Sequence, residues 1–140
     1  MTTAAKPPKE PLKIILDSNA LFVPLQFKID IMEELKTLLN MRFELALLSP
    51  VLEELRKLEE EGSPKTRRDA SYALKLAEKL KVIDVTETFA SPDDAIVKVA
   101  DKLGYLVFTN DRVLRKRLRD INVPVIYVRQ KSRLEIDGRL

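Results

Sequence analysis

The sequence predicts an α/β fold built on an open, mostly buried parallel sheet, and three observations carry the prediction. Short apolar runs alternate with longer stretches of helical periodicity, the pattern of βαβ crossovers. Three Ser-Pro pairs, Ser49-Pro50, Ser63-Pro64 and Ser91-Pro92, read as an N-cap serine with proline at the first helical position. The 140 residues, 45% hydrophobic and 34% charged, suit one domain around one core.

The elements follow in order. Residues 1–11, MTTAAKPPKEP, lack periodicity and read as a flexible leader to a domain spanning 12–140. Strands are expected at Leu12–Leu16, Phe43–Leu48, 82–85, 105–109 and 123–128, each a short apolar run. Helices are expected at 29–40, 50–61, 64–80, 92–103 and 111–120, with Gly104 as the C-cap of the fourth. No apolar run approaches the about 18 residues of a membrane span, and the N-terminus lacks the apolar core of a signal peptide. The expectation is a cytoplasmic protein with no membrane partner.

The chain contains no Cys and no His. A disulfide framework, a thiolate nucleophile and a Cys/His zinc site are therefore excluded, and so is the usual near-neutral general base. Hydrolytic chemistry would have to run on carboxylates, lysines, hydroxyls or a metal with oxygen ligands, for which Mg²⁺ and Mn²⁺ are the suitable ions. The net charge of +3 leans toward an anionic partner, and positive charge gathers in Asp111-Arg-Val-Leu-Arg-Lys-Arg-Leu-Arg119 and at Arg129, Lys131, Arg133 and Arg139. The same run also reads as a solvated helix face.

Four acids fall where the expected sheet would present them together. Asp17 ends the first strand and Asp111 follows the fourth, while Glu54 and Asp93 lie near helix starts. Strand C-termini and helix N-termini share one edge of an open α/β sheet, the edge where such folds bind ligands. Helical phase chooses between neighbours. Val51, Leu52, Leu55 and Leu58 define one buried stripe, which Glu54 borders and Glu53 opposes. Ala95, Ile96, Val99, Ala100 and Leu103 define another, bordered by Asp93, with Asp94 on the far side. Asp94 stands three residues after Ser91 and reads as half of a capping box. Singly, each acid also has a structural reading as a cap, a helix-dipole residue or a surface group. Asp17 is the exception, because a carboxylate straight after a buried strand is costly unless paired or metal-bound.

These residues resemble the PIN-domain nucleases. The matching pieces are Leu16-Asp-Ser-Asn-Ala-Leu21, Ser49-Pro-Val-Leu-Glu-Glu-Leu55, Asp93-Asp-Ala-Ile-Val-Lys-Val-Ala100 with Gly104, and Thr109-Asn-Asp-Arg112. The stretch from Thr109 to Val128 is similar to the PIN nucleases of small-subunit ribosomal RNA processing and their archaeal relatives. The resemblance implies a three-layer α/β/α fold with a central five-stranded parallel sheet, and Mg²⁺- or Mn²⁺-dependent endonucleolytic cleavage of RNA. It implies Asp17, Glu54, Asp93 and Asp111 as catalytic and metal-binding acids, with Ser18, Asn19 and Thr109 as polar supports. Arg112, Arg115, Lys116 and Arg119 are expected to hold the RNA backbone. Val113 is a departure, standing where many relatives carry a further Asp.

Two rivals share much of this pattern: a VapC-type ribonuclease toxin with an antitoxin partner, and a non-catalytic PIN module that binds RNA or protein. Partner expectations are accordingly an RNA substrate, an antitoxin or a ribosome-assembly factor, and a homodimer through the apolar residues of 64–80. A haloacid-dehalogenase-like phosphatase is disfavoured because Asn19 stands where that family has its second Asp. A response receiver is disfavoured by the lack of paired acids near the N-terminus and of a matching late Lys.

Overall fold

The computed structural model describes residues 10–140, so most of the expected leader lies outside the described residues. Five strands, β1 (Leu12–Leu16), β2 (Phe43–Leu48), β3 (Lys81–Ile83), β4 (Leu106–Phe108) and β5 (Val125–Arg129), run parallel in the order β3-β2-β1-β4-β5. Three consecutive residues of β1, Ile14, Ile15 and Leu16, are buried. Side chains alternate between the faces of a strand, so both faces of the sheet are covered, as three layers require.

The helices bury the faces that their periodicity marks. They are α3 (Ile31–Leu39), α4 (Ser49–Glu61), α5 (Pro64–Ala77), α6 (Pro92–Leu103) and α7 (Arg112–Asp120). Val51 and Leu55 of α4, Ala95, Ile96 and Ala100 of α6, and Leu114 and Leu118 of α7 are buried. Along α5, Ala70, Ala73 and Ala77 are buried and Leu76 packs against the core, as does Leu80 just after the helix, whereas Tyr72 is exposed. Ser63 and Ser91 cap their helices, each accepting from a backbone N–H three residues on. Gly104 closes α6 in the left-handed region at φ 71°, where a side chain would be strained.

Three expectations are corrected. The sheet has six strands rather than five, because β6 (Arg133–Asp137) turns back and pairs antiparallel with β5. Leu134 is buried, and this one-sided burial lets a strand form from a sequence that is mostly charged. The connection 17–28, where no element is expected, holds two short helices, α1 (Ser18–Leu21) and α2 (Val23–Phe27). Ser49 does not cap α4. It lies inside the helix behind Leu48, and its hydroxyl accepts from the Val85 N–H at 2.9 Å, pinning the segment after β3 to the start of α4.

Candidate active site

The strand order reverses direction between β1 and β4, and an open parallel sheet has its crevice at such a point. Asp17 leaves β1 there with its backbone N–H donating to the Phe108 carbonyl at 3.0 Å, and Thr109, Asn110 and Asp111 leave β4 beside it. Asp17 (4% exposed) and Thr109 (0%) are the buried polar residues among those described.

Each donor around Asp17 is placed by an element end. Ser18 contributes its backbone N–H, at 2.8 Å from Oδ1, and Asp17 thereby caps α1. The Thr109 hydroxyl donates to Oδ2 at 2.8 Å, and Asn19 Nδ2 to the same atom at 3.1 Å. Thr109 Oγ1 in turn accepts from the Asp111 N–H, and Asn19 Oδ1 accepts from the Asn110 N–H. Sites on two strands ninety residues apart are thus locked by two neutral side chains. Asp111 caps α7, its Oδ1 accepting from the Val113 and Leu114 N–H groups.

Glu54 is half-buried and Glu53 exposed. Burial, opposed by the Thr109 hydrogen bond and reinforced by the charges of Asp93 and Glu54, raises the Asp17 carboxyl from an ordinary 3.8 to about 6. Asp93 is also raised, by burial first and then by Asp111 and Glu54, with Arg117 pulling the other way. Asp17 and Asp93 therefore feel the charges of neighbouring carboxylates along one edge of the sheet. The four acids match a hard divalent cation in donor type and in charge. Among the described residues, however, no three acidic side chains are drawn up around a single point. A separate apolar cavity of about 290 Å³, lined by Leu16, Leu21, Phe43, Lys79 and others, contains none of the four acids.

Residues 14–131 match the family model of a PIN like domain. The chain belongs to the PIN domain family. The PIN chain is 36% identical over 129 residues to "Ribonuclease VapC4" of Methanocaldococcus jannaschii, covering 90% of this chain and 97% of that one. It is 32% identical to "rRNA-processing protein fcf1" of Schizosaccharomyces pombe, covering 89% of this chain and 64% of that one. Among solved structures it is similar to the PIN domain endonuclease Utp24, with a TM-score of 0.77, 30% identity and coverage of 93% and 94%.

On this PIN domain the four basic residues picked from sequence do not form one free face. Arg115 donates to Asp137 Oδ2 at 3.0 Å and lies 3.7 Å over the Tyr127 ring; Arg119 donates to Asp137 Oδ1 at 3.2 Å and to the Val123 carbonyl. Both clasp β6. Lys116 pairs with Asp120 of its own helix, and Arg112 is exposed in the first turn. Sequence reasoning missed Asn110, whose Oδ1 accepts from the Val128 N–H and ties the site to β5. It also preferred a capping role for Asp94. Ser91 does accept from the Asp94 N–H, but the Asp94 carboxylate pairs with Arg117 across the helices, so the capping box is only half made. Partners this far apart in sequence leave no spacing signal. Among the described residues no helix is long and apolar enough to cross a membrane.

Proposed function

We propose that this PIN domain is an endoribonuclease that cleaves RNA phosphodiester bonds with Mg²⁺ or Mn²⁺ held by Asp17, Glu54, Asp93 and Asp111. The observation that carries the reading is Asp17: a buried carboxylate at the sheet's switch point, raised to about 6, with further acids near it and, among the described residues, no cation bonded to it. Such a group is unfavourable when ionised unless a cation joins it. Asp17 is held in one orientation by Ser18, Asn19 and Thr109. Asp111 spends Oδ1 on its helix, which leaves Oδ2 for a ligand. When bound, the metal supplies a water of lowered pKa and offsets charge on the phosphoryl oxygens.

The names of the relatives support ribonuclease chemistry in two settings, ribosomal RNA processing and VapC-type toxins. We favour processing, from the match through the fourth motif and β5. The toxin reading has its own support in the VapC4 relative, which this chain spans almost end to end. A labelled single-stranded RNA should be cut with Mn²⁺, left intact in EDTA, and left intact by Asp17→Asn and Asp93→Asn. Metal-dependent cutting that persists in both variants would sink the assignment. Growth arrest on induced expression, relieved by the product of an adjacent gene, would move the reading from processing to toxin.

A further inference from the structure

We infer that Arg117, held in place by Asp94, is a phosphate-binding residue at the rim of the acidic pocket. The ligand class, RNA, rests on the nuclease reading; the geometry does not. The helix α7 carries five cations, and the structure distributes them unequally. Arg115 and Arg119 are committed to Asp137, Lys116 faces Asp120 of its own helix, and Arg112 sits exposed in the first turn. Arg117 crosses to α6, where Nη2 donates to Asp94 Oδ1 at 2.9 Å.

That contact fixes a guanidinium at the first turn of α6, which also carries Asp93, although the Asp93 and Asp94 side chains point about 100° apart. Side chains on a helix lean toward its N-terminus, so Arg117 extends back toward the end of α7 that Asp111 caps. Its positive charge is felt at Asp93, where it opposes the neighbouring acids. A guanidinium has five N–H donors in a rigid plane, and one carboxylate oxygen occupies only part of them. Arg117 remains 43% exposed, so donors face solvent beside the acids. A phosphodiester approaching four carboxylates is repelled unless a fixed cation meets it at the edge. An oriented guanidinium provides that and can bind two phosphate oxygens at once. As a mere staple between helices the pair would contribute little, because both partners are partly solvated.

The two roles separate because either partner can be removed. Both Arg117→Gln and Asp94→Asn break the ion pair, but only the first removes the cation. Binding of a fluorescein-labelled single-stranded oligoribonucleotide would be followed by anisotropy in EDTA, from about 50 to 200 mM KCl. Arg117→Gln should weaken binding roughly three- to tenfold and reduce the slope of log affinity against log salt by about one. Arg117→Lys should recover most of the affinity and the slope, and Asp94→Asn, which loosens the cation without removing it, should keep the slope and lose clearly less affinity than Arg117→Gln. Equal losses in Arg117→Gln and Asp94→Asn, or no loss in Arg117→Gln, would overturn the inference. The assay requires no catalysis. Wild type that binds RNA in this Arg117-dependent way yet cuts none with Mn²⁺ would defeat the nuclease reading while leaving the phosphate site standing.

Discussion

Burial, with the charges of Asp93 and Glu54 behind it, raises the Asp17 carboxyl to about 6, although the Thr109 hydroxyl and the Ser18 N–H pull it down. Folded protein therefore holds this proton in a range where the unfolded chain, at the ordinary 3.8, has released it. The contribution to stability is fully present below pH 3.8 and is lost as pH rises through about 6. The difference corresponds to about 3 kcal/mol. Asp17→Asn removes that cost above pH 6 but forfeits one hydrogen bond, since an amide has only one acceptor oxygen. The expected outcome without metal at pH 7.5 is a gain of about 1 kcal/mol, read as a Tm several degrees higher, alongside lost cleavage. Near pH 4 the gain should vanish; a variant less stable than wild type at pH 7.5 would mean that the lost hydrogen bond outweighs the cost of burying the charge. Thr109→Val removes the second-largest influence on Asp17, one that lowers its pKa. The acidic limb of the pH–rate profile should then move upward, and stability should fall by about 2 kcal/mol because the Asp111 N–H loses its acceptor. The positions of these acids were legible because strand ends and helical phase are local properties. The Asp94–Arg117 pair was not, because it is set by how two helices pack.

Most elements were equally legible. Core strands such as Leu12–Leu16 are short and mostly apolar, interrupted there only by Lys13, and α5 and α6 begin at serine caps that work as read. The strand β6 was not, for two physical reasons. Its sequence, Arg133-Leu-Glu-Ile-Asp137, alternates polar and apolar residues over a length too short to stand out beside a basic tail. Its hairpin turns on Gln130 and Lys131, both left-handed at φ 52° and 58°, whereas the residues that usually signal such turns are Asn and Gly. The strand is held instead by the Asp137 clasp with Arg115 and Arg119, and by Glu34 of α3, which accepts from the Leu134 N–H. Asp137→Asn should therefore loosen β6 by about 1 kcal/mol, seen as faster amide exchange in 133–137 with β1 unaffected. Gly138→Ala should cost more. Its φ is 107°, and a Cβ would stand 2.6 Å from Arg119 Nη1 and 3.2 Å from the Pro124 Cα. If exchange at β6 stays unchanged in Asp137→Asn, the two arginines are free for RNA and the clasp has no structural weight.

At the scale of the whole molecule, the β3-β2-β1-β4-β5 order brings Asp17 and Asp111, ninety-four positions apart, to one crevice. The core makes this possible: Ile14, Ile15, Leu16, Val107 and Phe108 are buried up to the residue before each polar turn, so the acids ride on a rigid floor. Repulsion among them is then built into the fold rather than relieved by loop movement, and a cation that relieves it acts as a folding ligand. An ion that binds only the native state stabilises by RT ln(1 + [L]/Kd), about 2.7 kcal/mol at a hundredfold excess over Kd. For a domain of this size that is a Tm rise of roughly 10 °C on titration with Mn²⁺ at pH 7.5. Protons compete for the same oxygens, and Asp17 near 6 is largely protonated at pH 5, so the rise should shrink there. Asp93→Asn should flatten the titration at both pH values. A pH-independent rise that survives in this variant would place the ion elsewhere on the surface, and the crevice would then be an acidic scar of the fold rather than its working site.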